Sequence, residues 1–576
     1  MTEQIIKDRG IEALKVAAGW PGAERATLVT LATVLAGTGA DAEGFRYFEQ
    51  LAAGRPDQAL PLALAGFFGV RAGQDIQASL ASLDEAATRD LGLPQYYRGL
   101  ALAGLPAEAG KAGQAVADLE FVLAVRDQFP AGMMRAVHHG LAAARAALGD
   151  ADQAARHAAD AGLGAVPAGT RLEFTGFWVN PADGFHFATP RIIEPAPGIR
   201  VAQGYDFGDF AFVTTSDGVI AVDAGTAAYR VAAALADADL EVSQISHVIM
   251  THSHFDHAGG ISALLGPGTT VIAQAGFAAE LDRQHANVLP FHHFTGQGAG
   301  FGDGQPAEPA SIVVDQPVSE PTTVTIGGTE LVLYPAAGGE TSDALMAYLP
   351  ESGVLFTGDV MMPYLGAPFF AEGSPEGLIE TLRFIAELRP RTLVHGHPVL
   401  TELFTTEAIA GLLAALTELR EHAVASIRGG TTLTKLLDTS HLPEVLREHP
   451  AAVGPYLAVR DHFLERLYHQ RTGYWHSDGQ GLEPVAPVER AAALDLLAGG
   501  KPEPFADVAR SLLAQRDYAL ALEIATAGLG RHPEAEELAR LRQEALHRLM
   551  ERYQLQDPFR FLIYAEMAGM EIGPAA

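Results

Sequence analysis

The sequence predicts an α+β multidomain chain, helical at both ends, with strands and helices alternating between them. Its 576 residues are too many for one hydrophobic core, and about three domains is the expected number. Before residue 165 and after 426 the chain is rich in Ala and Leu. Small or apolar residues recur there at i, i+3 and i+4, the spacing of packed helices. From about 195 to 425, short β-branched runs end in Gly or Asp turns and alternate with helical stretches.

Composition narrows the function classes. The chain is 48% hydrophobic and 19% charged, as in ordinary globular proteins, and its formal net charge is −31. Such an acidic chain repels phosphate, so neither nucleic acid nor an anionic membrane is an expected partner. There is no cysteine, so a metal site would have to use nitrogen and oxygen ligands. No basic-then-apolar leader and no apolar run of about 20 residues is visible, and a cytoplasmic location is the expectation.

Residues 1–165 read as a helical-pair, tetratricopeptide-like domain. Ala59 to Phe68, Gln114 to Leu123 and His138 to Arg145 are helical stretches. Ala144 to Ala155, with Gly149 and Asp150 inside it, has the look of a tight turn between paired helices. A packing or oligomerisation role is expected, with His138 and His139 on the helix surface. Residues 166–194, where Pro and Gly recur around Phe174, Phe177 and Trp178, form a linker or a crossing strand.

Residues 195–425 carry the chemistry. Phe210 to Thr215 and Gly218 to Val222 are strands around a Ser216-Asp217-Gly218 turn, and Asp223 closes the second. A helix over Ala228 to Ala236 precedes a strand at 245–250. Then comes T-H-S-H-F-D-H-A-G-G, Thr251 to Gly260. His252, His254, Asp256 and His257 are four potential ligands within six residues. In extended chain His252 and His254 point the same way, and Asp256 and His257 follow at the turn. Gly259 and Gly260 let the backbone pass close to a metal or substrate. Later strands end at Leu331 to Tyr334, before Glu340; at Val354 to Gly358, before Asp359; and at Thr392 to Val394, before His395 and His397. The Gly-rich stretch Gly296 to Gly304 and the preceding His292 and His293 read as a lid or loop over a groove. Past Asp359, an apolar segment containing Tyr364 suggests a groove for a hydrophobic substrate.

The His loop resembles the signature of the metallo-β-lactamase superfamily. The resemblance implies a four-layer αββα sandwich with a metal pair in a shallow groove at its edge, usually zinc, with iron or manganese as other possibilities. By the same resemblance His252, His254, Asp256, His257, Asp359 and His397 are metal ligands, with His395 the alternative to His397. Asp223 supports the loop from behind the ligands, unless it is only a strand-terminating turn residue. Most members carry a histidine where this chain has Glu340; that departure resembles the alkylsulfatase branch, whose turn there supplies a glutamate ligand. Residues 426–576, with Gly473-Tyr474-Trp475, helix-leading prolines and a helical pair at Asp517 to Glu534, resemble that branch's dimerisation domain.

The expected function is therefore hydrolysis by a hydroxide held between two zinc ions, with Asp256 guiding the proton. The expected substrate is a small sulfate ester of an apolar organic group, and the expected assembly is a homodimer. His292, His293 and Tyr364 are the candidate substrate contacts. Alternatives are the same site acting on carboxylic esters, lactones or thioesters, an iron-dependent oxygenase or oxidoreductase, or a non-enzymatic scaffold. One feature argues against sulfate: alkylsulfatases carry a sulfate-gripping arginine after the bridging acid, whereas the first arginine after Asp359 is Arg383.

Overall fold

The structure is a computed structural model. It describes residues 9–130, 132–161, 178–180, 184–186, 188–286, 312–336, 338–363, 373–438, 442–473, 475, 479, 481–553 and 557–569. His292, His293, Tyr364 and the Gly-rich stretch at 296–304 lie outside the described residues.

Helices from Arg9–Gly19 to Ala151–Asp160 occupy the first part of the chain, each packed on its neighbours in sequence. Phe48, Phe67, Phe68 and Tyr97 fill their common core. The turn at 148–150 falls where the Gly149-Asp150 pair predicts it, and Asp150 caps the last helix by accepting from the Gln153 amide. His138 and His139 are not on the surface. Their helix, Met133–Ala147, is flanked by Ala112–Ala124 on one side and Ala151–Asp160 on the other. His139 is therefore buried, and His138 faces His157.

A two-stranded ribbon follows, β1 (Trp178–Asn180) with β2 (Gly184–His186). The central part is two sheets. One contains β3 (Arg191–Ala196), β4 (Ile199–Gln203), β5 (Phe210–Thr215), β6 (Gly218–Val222), β7 (Ile245–Ile249), β8 (Thr270–Gln274) and β9 (Gln316–Val318) in sequential order. It is antiparallel from β3 to β6 and parallel from β6 to β9. The other contains β10 (Thr322–Ile326), β11 (Thr329–Ala336), β12 (Ala344–Leu349), β13 (Val354–Gly358) and β14 (Thr392–His395), antiparallel until β13 pairs in parallel with β14.

Side-chain alternation decides how the sheets stack. Ala211, Val213, Ile220 and Val222 of the first sheet meet Leu331, Leu333, Leu345, Val354 and Phe356 of the second in one core between them. The alternate residues Phe210, Phe212, Val219 and Ala221 share the outer core with Val231, Ala234 and Leu235 of helix Ala228–Asp237. On the far side, Met346 and Leu355 pack with helices Pro375–Leu388, Thr406–Arg428 and Val453–Thr472. These are the four αββα layers. Val360, Met361 and Met362, expected to help line a substrate groove, belong to this last core instead. The turn after β13 carries them inward, where they pack with Leu378 and Ile379.

The sheet begins at Arg191, and helix Thr406–Arg428 runs continuously through residue 425. Helices Arg9–Gly19 and Arg25–Gly37 touch Val453–Thr472, so the two helical ends of the chain meet. The stretch Asp517 to Glu534, expected to be a helical pair, is one helix, Tyr518–Arg531, and the start of the turn into Glu536–Tyr553. Gly528 lies inside it where a Cβ would fall 2.8 Å from Leu538, so helix packing needs a small residue at that position. Among the described residues, no helix is long and apolar enough to cross a membrane.

Candidate metal centre

Every expected ligand lies just past the C-terminal end of a strand, at the same edge of both sheets. The end of β7 leads into the His loop, that of β11 into Glu340, that of β13 into Asp359 and that of β14 into His397. The seven side chains fall into two groups whose donor atoms lie within 4.8 Å of one another: His252, His254 and Glu340; and Asp256, His257, Asp359 and His397. In the first, Glu340 Oε2 is 3.5 Å from His252 Nε2 and 3.4 Å from His254 Nδ1. In the second, Asp359 Oδ2 is 2.9 Å from His397 Nε2 and 3.3 Å from His257 Nε2, while Asp256 Oδ2 is 3.3 and 3.5 Å from the same nitrogens. The His252 and His257 rings, with centroids 4.1 Å apart, join the groups.

Acceptors behind the imidazoles set their tautomers. His257 Nδ1 donates to Asp223 Oδ2 at 3.0 Å. His252 Nδ1 donates to Thr251 Oγ1, which donates onward to Asp223 Oδ2 at 2.7 Å. The Thr251 amide donates to Asp223 Oδ1 at 2.7 Å, so one carboxylate orients two rings and the backbone between β7 and the loop. Asp223 adopts a left-handed φ of 61°, which turns its carboxylate under the loop. His397 Nδ1 donates to the Phe207 carbonyl at 2.8 Å. Each arrangement leaves Nε2 facing the other donors.

His395 points elsewhere: Thr357 Oγ1 lies 3.0 Å from its Nδ1 and the Phe404 carbonyl 3.3 Å from its Nε2. Gly396 separates the two histidines; a Cβ there would fall 2.2 Å from Asp359 Oδ1, so only glycine lets the chain pass the carboxylate. Gly259 and Gly260 also permit close approach, but to protein rather than to a metal. Their Cβ positions would fall 2.3 Å from the Thr226 carbonyl and 2.1 Å from the Ala224 carbonyl.

Some supporting residues carry no motif. Buried Asp206 accepts from the amides of Phe207, Thr226 and Ala227, and pairs with Arg230 at 3.2 Å. It thereby fixes the loop that presents the Phe207 carbonyl to His397. Asp343, also buried, accepts from Thr341 and Ser253 beside His254. Acidic residues between Gly204 and Asp209, inside an otherwise apolar stretch, were the available sign.

The donor set fits divalent cations. His252 Nε2, His257 Nε2, Glu340 Oε2 and Asp359 Oδ1 are buried without a hydrogen-bond partner. Each such atom costs about 1–3 kcal/mol unless something satisfies it. Two divalent ions would face three carboxylates, which leaves a formal charge near +1 for an anionic nucleophile or substrate. Without an ion the charges strain against one another. Burial pushes the Glu340 carboxyl up to about 7, with Asp359 adding to the effect and His254 opposing it. Burial disfavours charge on His397, but Asp359 and Asp256 outweigh it and raise this imidazole to about 9. Burial with His257 and His254 nearby holds His252 well below its ordinary value.

Metal uptake must therefore expel protons, and the sign follows directly. Below pH 7 both Glu340 and His397 hold one, and above 7 Glu340 has lost its own while His397 keeps its proton to about 9. Burial disfavours charge on His257, but Asp256, Asp359 and Asp223 outweigh it and raise that imidazole well above its ordinary value, so it holds a proton as well. Affinity is expected to rise with pH, by about tenfold per unit for each proton released, and more steeply below 7 than above it. Competition titrations against a chelator at several pH values measure this. An affinity that does not change from pH 6 to 9 would contradict it.

Two family models match the chain. One, described as Metallo-beta-lactamase superfamily, covers residues 204–397; the other, Alkyl sulfatase dimerisation, covers 432–565. The hydroxyacylglutathione hydrolase of Rhodobacter capsulatus is 30% identical over 249 residues, 43% of this chain and 80% of that protein. The linear primary-alkylsulfatase of Pseudomonas sp. (strain ATCC 19151) is 22% identical over 331 residues, 50% of this chain and 60% of that protein. Among solved structures, the stereoselective inverting sec-alkylsulfatase Pisa1 from Pseudomonas sp. matches with a TM-score of 0.51 and 20% identity over 66% of each chain, a likeness of fold. The chain thus spans less than two thirds of the length of these alkylsulfatases.

Proposed function

Because the chain belongs to the metallo-beta-lactamase superfamily, as a hydrolase with alkylsulfatases among its relatives, we propose that it cleaves sulfate esters of apolar alcohols at a two-zinc centre. Zinc suits a donor set of imidazole and carboxylate without thiolate. The observation that carries the substrate reading is Glu340. It occupies the turn after β11 beside His252 and His254, in a chain whose residues 432–565 match an alkyl sulfatase dimerisation model.

In this proposal His252, His254 and Glu340 hold one ion, and His257, Asp256 and His397 hold the other. Asp359 lies with the second group, close enough to bear on both. A bound metal pair lowers the pKa of water from about 15.7 towards 7 and polarises the ester oxygen. Asp256 Oδ2 accepts the proton of the attacking water. Asp223 and Thr251 keep the His252 and His257 lone pairs aimed inward throughout. Water adds across the ester bond, giving the alcohol and inorganic sulfate. With no arginine from Val360 to Leu382, the sulfate oxygens have no guanidinium partner from that segment.

A second reading, acyl-thioester hydrolysis, draws on the 30% identity to a hydroxyacylglutathione hydrolase. Both are tested by incubating the purified, zinc-loaded chain with linear alkyl sulfates, lactones and acylglutathiones, and following sulfate, acid and thiol release. Sulfate release is the expected outcome. Thiol release without sulfate release would replace the first reading by the second. Oxygen uptake by an iron-loaded sample would overturn both.

The assembly proposed is a homodimer through the C-terminal helices. Leu496 and Leu497, 84% and 86% exposed at the end of helix Pro487–Leu497, are the kind of apolar surface a second copy would cover. A one-chain molar mass in light scattering would overturn this assembly.

A further inference from the structure

Away from the groove, the helical N-terminal part contains a second kind of donor cluster. His138 on helix Met133–Ala147 meets His157 and Asp160 on helix Ala151–Asp160. The Nδ1 atoms of the two rings are 3.1 Å apart, and Asp160 Oδ2 lies 3.6 Å from His138 Nδ1 and 3.9 Å from His157 Nδ1. Tetrahedral zinc with bonds of about 2.0–2.1 Å spaces its ligand atoms about 3.3 Å apart, so the cluster is close to a ligand face as it stands. His157 and Asp160 are three apart and share a helix face, while His138 comes from across the helix pair. The two imidazole side chains are 14% and 15% exposed and that of Asp160 is 52% exposed, which leaves a solvent route and room for water as a further ligand. Burial lowers both imidazole pKa values although Asp160 opposes it, so both rings are neutral near pH 7, the form that binds metal. Arg126 lies near His138, and Arg145 and Glu120 near His157, with Arg145 paired to Glu120.

We propose that His138, His157 and Asp160 form a separate site for one divalent first-row transition ion such as zinc, which clamps the last two helices of the N-terminal part together.

The test counts zinc by elemental analysis in the full chain and in the His157→Gln and Asp160→Asn variants after equilibration at one free zinc concentration. Each variant is expected to hold one ion per chain fewer than wild type, with hydrolysis unchanged. Chelation is expected to lower the melting temperature of wild type by more than that of either variant. Equal zinc counts in wild type and both variants, with folding verified by circular dichroism, would overturn the site and leave only a hydrogen bond between two imidazoles. The readout is a difference between chains, so it holds whether or not the groove takes two ions.

Discussion

Asp359→Ala is expected to lower turnover by about 10³-fold or more, equivalent to about 4 kcal/mol of transition-state stabilisation. Asp359 Oδ2 lies closest to the donors of its group, 2.9 Å from His397 Nε2 and 3.3 Å from His257 Nε2, and its charge also bears on His252 and Glu340. Removing partners that only support a ligand costs 10- to 100-fold in metal affinity or activity, so removing a ligand should cost more. Without an ion, the same change leaves Asp256 as the carboxylate beside the Nε2 atoms of His257 and His397, with Asp223 still on His257 Nδ1. The measurement is kcat/KM together with metal content and circular dichroism. A folded variant with both ions and full activity would show that Asp359 is not a ligand.

Glu340→Gln is expected to remove the ion of the first group, taking one metal per chain from the groove, and to lower kcat/KM by more than about 10²-fold, the upper end for a residue that only supports a ligand. Glutamine keeps the length and volume of glutamate but not its charge. Buried Glu340 Oε2 has no hydrogen-bond partner, so the lost charge is expected to act through the ion rather than through the fold. Unchanged metal content with reduced activity would instead make Glu340 a substrate-facing residue.

The parts of this arrangement that were readable from the sequence are those in which chemistry is written locally. His252, His254, Asp256 and His257 are adjacent in the chain, and a strand ending at Ile249 fixes which way they emerge. Strands β5 and β6 were readable because alternating apolar residues flank a Ser-Asp-Gly turn. Asp359 and Glu340 were findable through the resemblance, as acids in the turns that follow β13 and β11. The choice between His395 and His397 was not settled by local pattern, because both stand at the end of the same strand. What separates them is where β14 stops and that Gly396 slips past Asp359, and both are tertiary facts.

Supporting contacts were the least legible. Asp206 reaches Arg230 and the amides of Thr226 and Ala227 across twenty or more residues, and no local pattern encodes that. The misplacement of His138 and His139 has a similar origin. Helix Met133–Ala147 has a polar pair where its periodicity suggests an exposed face, and burial comes from the helices on either side. The inward turn of Val360 to Met362 likewise depends on Pro375–Leu388 covering them, which hydropathy alone reads as a groove.

Anomalous diffraction from crystals grown with zinc tests whether seven side chains from four strand ends converge on one pair of cations. Two peaks are expected in the groove, one enclosed by His252, His254 and Glu340 and the other by Asp256, His257, Asp359 and His397. A groove without either peak, in crystals of protein that still hydrolyses its substrate, would contradict the metal-centred chemistry described above.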